Sequence, residues 1–207
     1  TDPENFMYYA VKMLKLPRYL ASTSTTGLSD AYDSFCVASE GYKKMFIKKG
    51  VRPEKLRVTG IPNFDNAKEY LKNDFPHKDY CLVATSDSRE TFKYENRKKF
   101  IYDALEIADG RDLIFKLHPN ENIDRSTKEI NKHAPKALVY SSGNTNHMIA
   151  NCSALVTKYS SVVYIGLALE KEVHSYFDLQ LLKELTPLQN GGKSSLNIAN
   201  ICKEYLQ

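Results

Sequence analysis

Residues 112–123, "DLIFKLHPNENI", carry an apolar run that ends abruptly in Lys116, His118, Pro119, Asn120 and Glu121. A short continuous apolar run bounded by a turn signal reads as a strand buried on both faces. Proline stops it, because proline has no N–H to give to a ladder. The strand therefore brings a lysine and a histidine to its tip. One reading is a strand that simply ends in a polar turn. The sharper reading is a strand that presents two cationic or hydrogen-bonding groups to a ligand.

The same pattern recurs on either side. "DYCLVATS" (79–86), "KALVYSS" (136–142), "CSALVTK" (152–158) and "EVHSYF" (172–177) read as further strands. Helical patterns separate them, over 89–110, 125–134, 145–151 and 160–170, and a closing helix is expected over 195–206. Strands alternating with helices imply an α/β, Rossmann-like parallel sheet with helices on both faces. Upstream, a helix is expected over 3–14, a polar loop over 18–33 and a short strand over 34–39. A helix over 40–50 with Gly50 at its end, a strand over 54–60 and a turn over 60–65 follow.

In a parallel sheet of this kind ligands bind outside the carboxyl ends of the strands. Those ends carry Ser86 and Asp87 after the first strand, Lys116 and His118 after the second, and Thr157, Lys158, Ser160 and Ser161 after the fourth. The two serines open a helix, where free N–H groups attract anions. Ordinary capping by a serine explains the same residues. With His118 at a nearby tip, a phosphate site becomes the competing reading: the imidazole donates, and Lys116 or Lys158 balances charge.

Composition narrows the classes. The 29 basic and 25 acidic side chains leave a net charge of +4, too mild to indicate nucleic acid. Cys36, Cys81, Cys152 and Cys202 lie far apart, which supports neither a zinc site nor a disulfide framework and suits a reducing, cytoplasmic setting. The histidines are scattered, so no metal is assigned. The longest apolar run, Val162–Leu169, is far short of the roughly 20 residues a membrane-spanning helix needs. No signal peptide is expected, and a start at Thr1 without methionine suggests part of a longer protein. Lys43, Lys44, Lys48 and Lys49 cluster on one helix, either as a solvated face or as a contact for anionic lipid at the inner membrane surface.

"RVTGIPNFD" (57–65), "KLHPNE" (116–121) and "LVTKYSSVVYIGLALEKEV" (155–173), in that order, resemble the carboxyl half of the GT-B glycosyltransferase superfamily. The pattern looks most like the CDP-glycerol glycerophosphotransferases, with K-x-H-P followed by T-D-Y-S-S. It is similar to the H-P motif sialyltransferases and Kdo transferases that use CMP-sugars, and more distantly to the UDP-GlcNAc 2-epimerases. The resemblance implies that His118, followed by Pro119, contacts a nucleotide phosphate and is the catalytic candidate. It implies that Ser160 and Ser161 bind phosphate at a helix start, that Ser86 and Asp87 lie beside the nucleotide, and that Gly60 and Pro62 form a hinge.

It further implies a nucleotide-linked sugar or polyol donor as substrate, a glycan or lipid-linked acceptor, and no cofactor or metal. Residues 1–60 would be the tail of an amino-terminal lobe, packed on the main domain or covered by a partner copy in a homodimer. Residues 61–207 would be the nucleotide-binding domain. The chain departs from the pattern at Lys158, where glycerophosphotransferases carry aspartate, and at Ile165 and Glu172. Tyr164 and Ile165 stand where the epimerases carry a glutamate pair for the ribose. A binding module without turnover and a nucleotide-sugar 2-epimerase therefore stand beside the transferase as readings.

Overall fold

The computed structural model describes Met13, Leu14, Leu28 and residues 32–206. Apart from those positions, the helix expected over 3–14 and the loop expected over 18–33 lie outside the described residues. The chain forms two compact units: the described residues of Thr1–Asn66 with those of Glu184–Gln207, and Ala67–Lys183.

In the first unit, β1 (Phe35–Val37) and β2 (Leu56–Val58) pair in parallel, linked by α1 (Glu40–Lys48). Ser39 caps α1 by accepting from the Tyr42 N–H, and Gly50 takes φ +93° just past its end. Val37, Val51 and Leu56 form the local core, with Phe35 edge-on to Phe46 at 4.7 Å. Lys49 does not share the open face of Lys44 and Lys48. It is buried, with its ammonium 5.4 Å from the centre of the Phe46 ring.

The second unit carries β3 (Cys81–Ala84), α2 (Arg97–Ala108), β4 (Leu113–Lys116), α3 (Ile123–His133) and β5 (Leu138–Tyr140). It continues with α4 (Thr145–Asn151), β6 (Ala154–Thr157), α5 (Val163–Ala168) and β7 (Glu172–His174). Then α6 (Leu179–Leu185) runs across the division between the units, and α7 (Ser194–Glu204) closes the chain in the first. The five strands form one sheet in the order β5-β4-β3-β6-β7, and every pairing is parallel. The α/β class, the parallel sheet and the flanking helices are as the alternation of apolar strands and helices predicts.

Three elements differ from the sequence reading, among them the helix expected over 160–170, which spans only Val163–Ala168. The helix expected over 89–110 begins only at Arg97, where the Asn96 side chain accepts from the Lys99 N–H. Residues 88–92 are a turn in which Phe92 takes φ +58°. Arg89 and Glu95, helix formers by composition, are drawn instead into buried ion pairs. The helix α6 lies in a stretch that the sequence reading left without an element.

The core explains which way the tips face. Val83, Phe115 and Val156 are aligned across β3, β4 and β6 and belong to the main cluster with Phe100, Ile101 and Ala104 of α2 and Ile130 of α3. Successive residues of a strand point to opposite faces. Ala84, Lys116 and Thr157 are likewise aligned and so share the other face. On the β6–β7 half, α5 lies tight against the sheet because Gly166 has no side chain. A Cβ there would sit 2.8 Å from Leu155 Cδ2 and 3.0 Å from Val173 Cγ2.

Candidate functional site

The tips of β4 and β6 flank the tip of β3 at the carboxyl edge of the sheet. Lys116, Ala84 and Thr157 make a row across the three strands, with the small alanine between the two polar side chains. Lys116 is buried, and its ammonium donates to the carbonyls of Leu117 at 2.8 Å and Ser141 at 3.4 Å. Burial pushes this ammonium below the usual lysine range, with Glu121 opposing the shift. Thr157 is 1% exposed, and its hydroxyl has no hydrogen-bond partner among the described residues. A buried hydroxyl without a partner calls for an explanation, and a ligand or water at this edge is one.

His118 follows this row on a turn closed by Pro119, and its side chain is partly exposed. Its backbone N–H is shared by Thr85 Oγ1 at 3.0 Å and the Glu121 carboxylate at 2.9 Å. The Asn120 N–H donates to Nδ1 at 3.2 Å. A ring nitrogen that accepts carries no proton, so the neutral imidazole holds its hydrogen on Nε2, ready to donate. Asp87 accepts from the Asn120 side chain at 3.1 Å and lies 4.0 Å from Nδ1, which ties the β3 tip to the β4 turn. Ser86 shares a hydrogen bond of 2.9 Å with Ser88.

At the β6 tip the Ser160 carbonyl accepts from the Val163 N–H and its hydroxyl meets the Val162 N–H at 3.5 Å. Ser161 is exposed. The helix that follows has only six residues and no side-chain cap. Gly60 stands in the first unit. It takes φ +81°, and a Cβ there would fall 2.3 Å from Ser194 Oγ, so close approach requires glycine.

Lys158 is explained differently from its neighbours in the motif. Its ammonium is 2.8 Å from Glu95 and 4.7 Å from the centre of the Phe100 ring, on the α2 side of the sheet. Glu95 also receives Arg97 at 3.2 Å and lies 3.6 Å from Arg89. Arg97 in turn reaches Glu121, which accepts as well from Thr85 and from Ser126. A buried chain Glu121–Arg97–Glu95–Lys158 thus links the β4 turn to the β6 tip. Among the described residues of this unit, the side chains of Arg97, Lys116 and Lys158 are buried cations against the buried carboxylates of Glu95 and Glu121. The surplus is positive, which favours an anion at this edge. Sequence reasoning missed Glu95, Arg97 and Glu121. Their one signal was the density of alternating charge in "YENRKK" and "HPNE", which ordinarily marks a solvated surface.

No family model matches the sequence, and no curated protein matches it. Solved structures do. A UDP-GlcNAc 2-epimerase from Neisseria meningitidis bound to UDP-GlcNAc aligns with TM-score 0.62 and 13% identity, over 87% of this chain and 63% of that one. An S. aureus MnaA–UDP co-structure gives TM-score 0.63 and 14% identity, over 94% and 64%. A variant of the wall teichoic acid polymerase TagF gives TM-score 0.50 and 14% identity, over 92% and 65%. The chain therefore spans less than two thirds of the length of these structures. At such identity the likeness establishes the fold: a GT-B-like, Rossmann-like lobe.

Proposed function

We propose that the chain is the donor-binding part of a GT-B-type glycosyltransferase or glycerophosphotransferase. It would pass a sugar or polyol phosphate from a CMP-, CDP- or UDP-linked donor to an acceptor hydroxyl in surface polysaccharide synthesis. The observation that carries this reading is the row Lys116–Ala84–Thr157 under the carboxyl edge, with a hydroxyl unpartnered among the described residues two strands across from a buried cation. A nucleotide phosphate would pair the hydroxyl and take the donor capacity that Lys116 keeps beyond its two carbonyls. The Nε2 hydrogen of His118 and the backbone at Ser160–Ser161 supply further donors.

In this reading the donor's bond to its leaving phosphate breaks as the acceptor oxygen attacks, and the electron pair goes to the nucleotide. Lys116, His118 and the β6 turn stabilise the charge that develops there. Neutralisation by protein donors makes a metal unnecessary. Lys158 is spent on Glu95 and takes no part. The base that activates the acceptor comes from outside this chain, and residues 1–60 are the tail of an amino-terminal lobe. A peripheral position at the cytoplasmic membrane face suits a lipid-linked acceptor. Among the described residues no helix is long and apolar enough to cross a membrane.

The second reading, a nucleotide-sugar 2-epimerase, is favoured by the likeness to the Neisseria meningitidis structure. Tyr164 and Ile165, at the positions of the ribose-binding glutamates, are both buried and argue the other way. The test is thermal stability in the presence of CMP, CDP and UDP. A nucleotide at 100 times its dissociation constant stabilises by about 2.7 kcal/mol. His118→Ala is expected to weaken the preferred nucleotide roughly ten- to a hundredfold, the loss of one charge-assisted hydrogen bond. If no nucleotide stabilises the protein, the reading fails.

A further inference from the structure

The α2 side of the carboxyl edge holds a second concavity that the donor reading does not use. Its volume is about 540 Å³, within the range of small-molecule sites. Tyr94, Tyr159 and Tyr176 line it and expose 91%, 64% and 50% of their surface. Large aromatic rings clustered on open surface mark contact sites. The rings meet edge to face: Tyr159 crosses Tyr176 at 88° and Phe177 at 75°. Tyr159 therefore forms no parallel slot with Tyr176 or Phe177 for a flat base.

Four side chains of the cleft are charged and each has an opposite partner, alongside the neutral Ser88 and Asn96. Lys99 holds both oxygens of Asp103, at 2.9 and 2.8 Å, and Lys158 holds Glu95. Lys158 also occupies the cation position over the ring of Phe100. Each charged side chain of the cleft already has an opposite partner, so a neutral ligand displaces no ion pair. The Asp103 carboxylate keeps acceptor capacity after Lys99 is bound, and the tyrosine hydroxyls both donate and accept. The site therefore suits a neutral ligand with an apolar face and a hydroxylated rim.

We propose that this cleft binds an uncharged saccharide ring. The ring's C–H face would lie on Tyr159, or on Tyr176 away from the Lys158 ammonium that sits 5.8 Å from that ring's centre, since π faces carry negative potential. Its vicinal hydroxyls would bond Asp103 and the tyrosine hydroxyls. The inference goes beyond the donor site and stands on different residues. In the proposed transferase the cleft holds a glycan unit of the acceptor next to the β6 tip.

The experiment follows tyrosine ring resonances of ¹³C-tyrosine-labelled protein, with the His118 imidazole as a separate reporter. The probes are N,N′-diacetylchitobiose, uridine and glycerol, each up to about 50 mM. Saturable shifts at Tyr159 and Tyr176 with the disaccharide alone are expected. Tyr159→Ala should weaken them about tenfold, and Tyr176→Phe, which keeps the ring, should weaken them less. Absence of saturable shifts overturns the proposal. So does an equal response to glycerol, or tighter binding of uridine at the same rings. A shift at His118 without one at the tyrosines also overturns it. Failure of CMP, CDP and UDP to move His118 would defeat the donor reading alone and leave the tyrosine result standing.

Discussion

The carboxylate of Glu121 accepts the backbone N–H of His118 at 2.9 Å while it also receives Thr85, Arg97 and Ser126. Its side chain is fully buried. Four donors on one carboxylate make the His-Pro turn a fixed part of the core. Removing one partner of a buried, hydrogen-bonded ion pair leaves the other uncompensated. Glu121→Ala is therefore expected to cost about 3–5 kcal/mol, read from urea unfolding. A loss below about 1 kcal/mol would mean that the strand and Pro119 hold the turn unaided.

Lys158 gives a test of the opposite kind. Lys158→Asp restores the residue that the glycerophosphotransferase pattern carries, yet it sets a carboxylate against Glu95. Destabilisation of at least about 3 kcal/mol is expected. Adding Glu95→Gln, which removes the facing carboxylate without setting a cation against Arg97, should recover part of it, a coupling that a double-mutant cycle measures. Lys158→Met keeps the packing on Phe100 and should leave nucleotide affinity within about twofold. A tenfold drop, about 1.4 kcal/mol, would place the ammonium on the phosphate instead.

The five strands were legible because each is a continuous apolar run, and a run such as Cys81–Ala84 can be satisfied only by burial on both faces. The tips were legible from the same runs, since Lys116 and Thr157 are simply their last residues. The chain from Glu121 to Lys158 was not. Nothing in a charged residue's identity says that its partner waits 24 or 63 positions away. The late start of α2 was hidden for a related reason. Arg89 and Glu95 favour helix in isolation, and their ion pairs with distant residues override that preference.

Two buried thiols predict a decline in stability on the alkaline side. Burial raises Cys81 to about 11 and Cys152 to about 12, against 9.0 when unfolded. The folded pKa values are the higher ones, so this stability is fully present below pH 9.0 and is lost as pH climbs towards 11 and 12. Each thiol contributes up to about 1.4 kcal/mol per pH unit in that window. Lysines titrate there too, so the comparison is with Cys152→Ala. Its unfolding free energy should fall less steeply between pH 9 and 11, whatever its absolute stability. Identical slopes would show that the thiol ionises alike in both states.

Thr157 separates a binding role from a structural one, because the two predict effects of opposite sign. Its hydroxyl is buried without a partner among the described residues, beside the tip that Ser160 and Ser161 continue. Leaving such a group unpaired costs about 1–3 kcal/mol in the ligand-free protein. Thr157→Val keeps the shape and removes the cost, so the variant should be more stable to urea by about 1 kcal/mol. If the hydroxyl exists to meet a phosphate oxygen, the same substitution should weaken the preferred nucleotide about tenfold. A serine at this position keeps the donor and should restore affinity. Lys116→Met should also lower affinity without the gain that comes from deleting an unpaired group, since its ammonium is already bonded to two carbonyls. A Thr157→Val protein that loses stability would show that the hydroxyl has a partner, such as a buried water. One that gains stability and binds nucleotide as before would remove Thr157 from the site, and with it the observation on which the donor reading chiefly rests.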